Sequence, residues 1–210
     1  MITEEELYRS LAEKQGGTAQ ERFAAASVVI CGLGGLGSNV ALALARAGVG
    51  RIHMIDFDRV ETTNLGRQQY FPDQVGMNKA DALLENVRRA APYSNITAQT
   101  EKITAENIPQ LLSGFDVVCE CFDSADQKAM LVNAVLEQFP KAWLVSASGM
   151  AGIDSANSIQ TRRVSKRFFL SGDGVSDVES TEGLFGTRVA VCAAHQAHTV
   201  LRILAGEYDS

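Results

Sequence analysis

The sequence predicts an α/β fold in which a doubly wound, mostly parallel sheet ends in antiparallel C-terminal strands. Between residues 27 and 152, short apolar segments alternate with segments of helical character, as expected for consecutive βαβ units. A glycine-rich turn joins the first apolar segment to the helix that follows it, a connection found in parallel sheets that bind ligands. After Gly152, two predicted strands, 158–164 and 167–170, follow each other with no helix between them, which favours an antiparallel pair.

Each element has a local signal in the sequence. Thr3 and Thr18 each stand three residues before a glutamate, a spacing that predicts two short N-terminal helices opened by capping boxes. The pattern of apolar residues and chain breaks predicts strands at 27–31, 51–56, 96–101, 115–121, 143–147, 158–164 and 167–170. Helices are predicted at 38–47, 78–91, 105–112, 125–139 and 187–204. We therefore interpret residues 1–26 as an N-terminal helical extension and residues 27–210 as a single Rossmann-like domain.

The composition narrows the classes of function. With 210 residues, 46% of them hydrophobic, the chain can bury a substantial core. A formal net charge of −6 argues against a nucleic-acid partner or an anionic membrane surface. The N-terminal residues lack the basic and apolar regions of a secretory signal, and no apolar run is long enough to span a bilayer. We expect a cytoplasmic protein with no membrane partner.

The positions of the cysteines indicate buried, packed side chains rather than metal-binding or redox-active thiols. None of the four belongs to a CxxC pair, so we expect no zinc of the paired-CxxC type. Each lies in an apolar segment, where a free thiol usually packs as a small hydrophobic group. We therefore predict four buried thiols in a reducing compartment, at Cys31, Cys119, Cys121 and Cys192.

The glycine-rich turn is the first candidate binding element. Gly32, Gly34 and Gly37 form a GxGxxG pattern that follows a predicted strand and opens a predicted helix. In that context, glycines let backbone N–H groups approach a phosphate at the helix N-terminus. Asp56 ends the second predicted strand, where a carboxylate can bind ribose hydroxyls. The turn and the carboxylate predict a nucleotide site without identifying the nucleotide.

Polar side chains that follow three strands indicate which nucleotide. Because the carboxyl ends of parallel strands meet at one edge of a sheet, we expect these side chains to converge. They are Asp56, Asp58, Asn64, Arg67, Lys79 and Asp123. Cations and a spare carboxylate beside the phosphates suit a triphosphate with Mg²⁺ better than the diphosphate of NAD. Each residue alone is better explained as a solvated charge in a loop. The set as a whole is better explained as a site for a nucleoside triphosphate.

Several motifs and C-terminal segments carry a family resemblance. The motifs are GLGGLGS at 32–38, DFDRVETTNLGRQ at 56–68, the lysine at 79 and CFDS at 121–124. Together they resemble the E1-like adenylating enzymes of the ThiF/MoeB/HesA superfamily, which activate ubiquitin-like sulfur carrier proteins. Segments 147–152, 157–162 and 188–196 are similar to the short ThiF subgroup, which adenylates the thiamine-pathway carrier ThiS. The resemblance covers nearly the whole chain.

This resemblance implies ATP and Mg²⁺ as cofactors and a single adenylation domain over residues 27–210. Asp56 would hold the ribose, and the Gly34–Gly35 turn would face the adenosine and the α-phosphate. Arg67 and Lys79 would bind the phosphates together with Asn64. Asp123 would hold Mg²⁺, and Arg67, Lys79 and Asp123 would be the catalytic residues. The whole nucleotide-binding set would be Gly32, Gly34, Gly35, Gly37, Asp56, Asp58, Asn64, Arg67, Gln68 and Lys79.

The same resemblance implies the partners. The substrate would be a carrier protein that ends in Gly-Gly, and the enzyme would be a homodimer. Members of the superfamily often add an N-terminal arginine from the second subunit, for which Arg9 is the candidate. Some members also use a cysteine in the region after the sheet, but residues 165–186 contain none. A separate sulfur donor is therefore expected.

Other interpretations stay open at the level of sequence. An NAD-dependent oxidoreductase explains the glycine turn but gains nothing from Arg67, Lys79 and Asp123. A non-catalytic E1-like subunit that only docks a carrier has no need of these three side chains. Within the superfamily, a HesA- or MoeB-type enzyme and a tRNA-modifying dehydratase are further alternatives.

Overall fold

The computed structural model of the protein describes residues 2–177 and 181–208. In this part of the chain, strands form one seven-stranded sheet. The strands are β1 Ser27–Cys31, β2 Arg51–Asp56, β3 Asn95–Thr100, β4 Val117–Glu120, β5 Trp143–Ala147, β6 Gln160–Ser165 and β7 Phe168–Gly172. Their order across the sheet is β3-β2-β1-β4-β5-β7-β6. Neighbouring strands are parallel except β6 and β7, which confirms the predicted fold class.

Helices cover both faces of this sheet. The helices are α1 Glu4–Gln15, α2 Gly17–Ala25, α3 Gly35–Arg46, α4 Lys79–Ala90, α5 Ile108–Leu111, α6 Ala125–Gln138 and α7 Gly186–Ala205. Buried side chains of α3, α4 and α7 form one core cluster with one face of the sheet. Those of α5 and α6 form a second cluster with the other face. This is the doubly wound arrangement, which buries parallel strands on both sides.

The central strand β1 shows why a continuous apolar run folds as a strand here. All five of its residues are buried. Val28 and Ile30 pack in the cluster with α3 and α7, whereas Val29 and Cys31 pack in the cluster with α5 and α6. Successive side chains of a strand point to opposite faces, so a strand covered on both faces requires apolar residues at every position. β1 ends at the glycine-rich turn, which it therefore delivers to the edge of the sheet.

Two predicted helices begin elsewhere in the structure. The helix predicted from residue 38 begins at Gly35, so the second half of the glycine-rich turn already belongs to α3. The helix predicted at 105–112 is reduced to the single turn of α5. The side chain of Asn107 accepts a hydrogen bond from the N–H of Thr104 at 2.8 Å, and this local turn replaces the first part of the predicted helix.

The N-terminal helices are confirmed, although one cap is wrong. Thr3 and Glu6 form the predicted capping box of α1. Thr18 does not cap α2, because Gly16 with a φ of 90° already serves as the N-cap residue and Thr18 lies inside the helix. The boundary at residue 27 stays a prediction, and parts of the predicted domain, residues 178–180 and 209–210, lie outside the described residues. No helix among the described residues has the length and apolar character to cross a membrane.

Candidate functional site

A cleft of about 720 Å³ opens at the carboxyl ends of β1, β2, β4 and β5. The order of the chain reverses between β1 and β4, and ligands of open α/β sheets bind at such switch points. The cleft is lined by all but one of the residues that the sequence predicts for the site. They are Gly32, Gly34, Gly35, Asp56, Asp58, Asn64, Arg67, Gln68, Lys79 and Asp123. Gly37 is not part of the lining.

Three glycines of the turn have neighbours too close to leave room for a side chain. Gly32 has a φ of +89°, and a Cβ there would lie 2.9 Å from the carbonyl oxygen of Cys121. A Cβ on Gly35 would lie 2.8 Å from the side chain of Val189 in α7. A Cβ on Gly37 would lie only 1.8 Å from the carbonyl oxygen of Gly32, so this glycine allows close packing beneath the turn. The turn is therefore open only towards the cleft, where the N-terminus of α3 can face an anion.

Asp56 ties the end of β2 to the glycine-rich turn. Its carboxylate accepts hydrogen bonds from the N–H of Leu33 at 2.6 Å and from the N–H of Asp58 at 2.7 Å. Burial raises the pKa of the Asp56 carboxyl, while these two N–H groups and Lys79 act in the opposite direction. Asp56 thus fixes the geometry of the turn, and its role as a ribose ligand stays a prediction.

Two cations lie beside this turn. Lys79 is 7% exposed, and its Nζ lies 2.9 Å from Oδ2 of Asp58. Arg67 is half-buried and donates through Nη1 to the carbonyl oxygen of Thr63 at 2.8 Å. The lysine ammonium is therefore held at the cleft with little competing water, where its charge acts strongly on a bound anion.

Two polar side chains from the segment before α4 complete this side of the cleft. The side-chain oxygen of Asn64 accepts from the N–H of Glu61 at 3.0 Å and so caps a short 3₁₀ helix, Thr62–Asn64. Gln68 is buried, and its Oε1 has no hydrogen-bond partner among the described residues. An orphaned buried acceptor that lines a cleft fits a ligand that donates a hydrogen bond, such as a ribose hydroxyl or an adenine amino group.

The predicted metal ligand Asp123 lies on the rim formed by the segment after β4, with its side chain exposed. Among residues 2–177 and 181–208, no three histidine, cysteine or carboxylate side chains are grouped as a metal site. A magnesium ion usually keeps several waters and binds through one or two carboxylates plus substrate phosphates. One aspartate on this rim fits that mode, and it does not fit a site made by protein ligands alone.

A buried ion pair behind Asp123 was missed by sequence reasoning. The carboxylate of Glu120 has no exposed surface and accepts from Nζ of Lys128 at 3.0 and 3.1 Å. It also accepts from the N–H of Phe122 at 2.7 Å, while Lys128 donates to the carbonyl oxygen of Ala147 at 2.8 Å. The pair therefore fixes the first residues after β4 and joins them to β5. A charged residue at the end of an apolar strand was the signal that could have revealed it.

The wall of the cleft on the β5 and β7 side was also missed. It consists of residues 148–151 after β5, residues 174–177 after β7 and Leu184. Uncharged groups make up most of this wall, in contrast to the charged β2 side. The sequence offered one signal, Arg188, a basic residue beside the apolar run 189–194 at the start of a helical segment.

The four cysteines are free and buried, as predicted. Burial raises the pKa of every one of these thiols, that of Cys192 to about 12. They are therefore protonated at neutral pH and poor nucleophiles. Arg9 lies on the exposed helix α1, where it pairs with Glu5 at 2.7 Å.

The sequence is similar to those of several characterised enzymes. The tRNA threonylcarbamoyladenosine dehydratase of Escherichia coli is 35% identical over 157 residues, which cover 74% of this chain and 58% of that protein. A sulfur carrier protein adenylyltransferase of Thermus thermophilus is 34% identical over 139 residues, which cover 64% of this chain and 51% of that protein. The chain thus matches between about half and three fifths of the length of these relatives.

Solved structures and a family model agree with the sequence relatives. The crystal structure of the E. coli dehydratase in complex with ATP superposes with a TM-score of 0.87 at 24% identity, covering 99% of this chain and 98% of that chain. This likeness shows the fold. A family model described as the ThiF family matches residues 7–210. As the resemblance in the motifs led us to expect, the chain belongs to the ThiF family.

Proposed function

We propose that this protein uses ATP and Mg²⁺ to adenylate the C-terminal carboxylate of a ubiquitin-like sulfur carrier that ends in Gly-Gly, of the ThiS type. The observation that carries the proposal is the convergence of Arg67, Lys79 and Asp123 beside the glycine-rich turn in one cleft. Membership of the ThiF family and the similarity to a sulfur carrier protein adenylyltransferase support it. An NAD-dependent oxidoreductase has no use for this set of charges.

The cleft fits the parts of ATP. The turn at Gly34–Gly35 would take the α-phosphate at the N-terminus of α3, and the free acceptor of Gln68 would take a donor of the nucleoside. Lys79 and Arg67 would bind the β- and γ-phosphates. Structures of the E. coli dehydratase hold ATP and AMP, which supports nucleotide binding by the same fold. Bound Mg²⁺ would neutralise phosphate charge that otherwise repels a carboxylate.

The reaction needs no general base. The carboxylate of the carrier is already ionised at neutral pH, and one of its oxygens attacks the α-phosphorus. A new O–P bond forms as the bond between the α-phosphorus and the bridging oxygen breaks, and pyrophosphate leaves with the electron pair. The side chains contribute by positioning and by charge neutralisation. Since all four thiols of the chain are buried, we assign the later transfer of sulfur to a separate donor.

Pyrophosphate exchange tests the proposal. The protein is incubated with ATP, Mg²⁺, radiolabelled pyrophosphate and a ThiS-type carrier, with the same carrier lacking its last glycine as the control. We expect label to enter ATP only with the intact carrier, because the acyl-adenylate must form before pyrophosphate can reverse it. Absence of exchange with every Gly-Gly carrier tried contradicts the proposal.

A second candidate is activation of a carboxylate on tRNA, favoured by the 35% identity with the tRNA threonylcarbamoyladenosine dehydratase. The same cleft could adenylate either carboxylate. The net charge of −6 disfavours a nucleic-acid substrate, because tRNA binding usually requires an extended basic surface. Exchange that depends on threonylcarbamoyladenosine-modified tRNA instead of the carrier would favour this second candidate.

A further inference from the structure

The two segments of the uncharged wall are interlocked by backbone hydrogen bonds. The N–H of Asp173 donates to the carbonyl oxygen of Gly149 at 2.9 Å, and the N–H of Gly174 donates to that of Ser148 at 3.2 Å. Gly149 has a φ of +83°, and a Cβ there would lie 2.1 Å from Oδ1 of Asp173. Backbone hydrogen bonds therefore join the two segments, and the shape of the wall depends on where these segments are held.

One buried guanidinium, that of Arg188, joins α7 to residues that flank the two wall segments. Arg188 donates through Nη1 to the carbonyl oxygens of Asp154 at 2.6 Å and Ser155 at 2.8 Å. Through Nη2 it donates to the hydroxyl of Ser158 at 3.1 Å and to Oδ2 of Asp173 at 2.5 Å. The side chains of Arg188 and Asp173 are 4% and 5% exposed. Arg188 thereby joins three segments that are distant in sequence.

Asp173 in turn fixes the lining of the cleft. Its Oδ1 accepts from the N–H of Val175 at 2.9 Å and from the N–H of Ser176 at 2.8 Å. The hydroxyl of Ser176 accepts from the N–H of Ala151 at 3.0 Å, on the other segment of the wall. A single hydrogen bond thus connects the Arg188–Asp173 ion pair to Val175 or Ser176 in the lining of the cleft.

Stability alone is a weak explanation for this pair. Removing a guanidinium and a carboxylate from water costs about as much as their attraction returns, and Nε of Arg188 is buried without a partner among the described residues. Because apolar residues of similar size would give about the same stability, the pair is better explained by the placement of the wall that it holds.

We propose that Arg188 and Asp173 are positioning residues that hold this wall in place against the C-terminal glycines of the substrate. The inference rests on the proposed function. With the phosphates beside Lys79 and Arg67 on the β2 side, the peptide tail lies along the mostly uncharged wall on the β5 and β7 side. Glycine carries no Cβ, so a wall that is held in place also favours glycines over larger residues.

Two variants separate positioning from folding. Asp173→Asn keeps an Oδ1 acceptor for Val175 and Ser176 but removes the charge that pairs with Arg188. Arg188→Met removes the guanidinium at similar length. The matched control is Asp116→Asn at the opposite end of the sheet, where Asp116 accepts from the N–H and hydroxyl of Ser27 at 2.8 and 2.7 Å. This control weakens a partly buried contact without touching the cleft.

The readout is pyrophosphate exchange with a ThiS-type carrier and with a variant of that carrier in which alanine replaces the penultimate glycine. In Asp173→Asn and Arg188→Met we expect the KM for the carrier to rise about tenfold to a hundredfold, because small misplacements of a positioning wall are costly. We expect the KM for ATP to stay within about twofold, and the preference for glycine over alanine to fall about tenfold. Hydrogen exchange at the amides of Ala151, Val175 and Ser176 should accelerate.

The outcomes separate this inference from the proposed function. If Asp173→Asn and Arg188→Met change the KM for the carrier and the KM for ATP no more than Asp116→Asn does, the Arg188–Asp173 pair is only structural and the inference is wrong. If Arg188→Met fails to fold, Asp173→Asn decides alone by the same criterion. If the wild type exchanges with no Gly-Gly carrier, the proposed function fails, and the assignment of the wall fails with it.

Discussion

Replacing Lys79 with methionine removes a positive charge from the cleft at nearly constant side-chain length. We expect the variant to lose about 10²-fold to 10³-fold in the rate of carrier-dependent pyrophosphate exchange, the range seen when one group that stabilises transition-state charge is removed. The side chain of Lys79 is only 9% exposed, so its ammonium acts on the phosphates with little screening by water.

The structure also predicts that this variant stays folded. The partner of Lys79, Asp58, has a side chain that is 48% exposed, so its carboxylate can be hydrated once the lysine is gone. The ion pair is therefore worth no more than about 1 kcal/mol, and a buried methionine offsets part of that loss. We expect the melting temperature to change by less than about 4 °C.

The assay compares exchange rates and thermal unfolding of Lys79→Met with those of Lys14→Met. Lys14 lies on α1 and pairs with Glu13 at 3.5 Å with both side chains largely exposed, so its replacement should leave exchange and stability unchanged. Near-normal exchange by Lys79→Met would refute the assignment of this lysine to the phosphates. Loss of exchange together with unfolding would instead refute the argument from the exposure of Asp58.

Three further predictions follow from the same geometry. Asp123→Ala should abolish exchange at any tolerated Mg²⁺ concentration without lowering the melting temperature, since Asp123 is exposed; normal turnover would place Mg²⁺ elsewhere. A folded variant with all four cysteines replaced by alanine or serine should keep exchange, because burial raises the pKa of every thiol; loss of exchange with a native circular dichroism spectrum would reveal a missed thiol. Burial raises the pKa of the Asp173 carboxyl, but hydrogen bonds from Ser176, Val175 and Arg188 outweigh it and lower the pKa from 3.8 to about 2. The ionised carboxylate of Asp173 stabilises the fold, and this contribution is lost when the carboxylate is protonated. In urea unfolding, the difference in free energy of unfolding between the wild type and Asp173→Asn should therefore shrink as the pH falls from 3.8 towards 2. A difference that stays constant with pH would contradict this.

The parts of the fold that could be predicted from the sequence depend on local patterns. A run such as Val28–Cys31 is apolar at every position because both faces of the sheet are covered. The glycine-rich turn was predictable because Gly32 needs a positive φ and Gly37 needs close packing, requirements that few other residues meet. The convergence of the charged residues followed from one rule about the carboxyl ends of parallel strands.

The parts that could not be predicted depend on partners distant in sequence. Arg188 stands between Thr187 and Val189, and nothing local shows that Asp173 and the carbonyls of Asp154 and Ser155 surround it. Lys128 meets Glu120 only because α6 packs against the end of β4. At the shortened helix α5, the side chain of Asn107 accepts from the N–H of Thr104, and this local bond stands where the sequence predicts the start of a longer helix.

The central claim is that this cleft joins AMP to the C-terminal carboxylate of a protein carrier. Intact-mass spectrometry of a ThiS-type carrier, quenched shortly after mixing with the protein, ATP and Mg²⁺, tests that claim most directly. We predict that the carrier gains the mass of one AMP group, and that a carrier without its last glycine does not. A carrier that stays unmodified, while added tRNA stimulates ATP turnover by the protein, would contradict the claim.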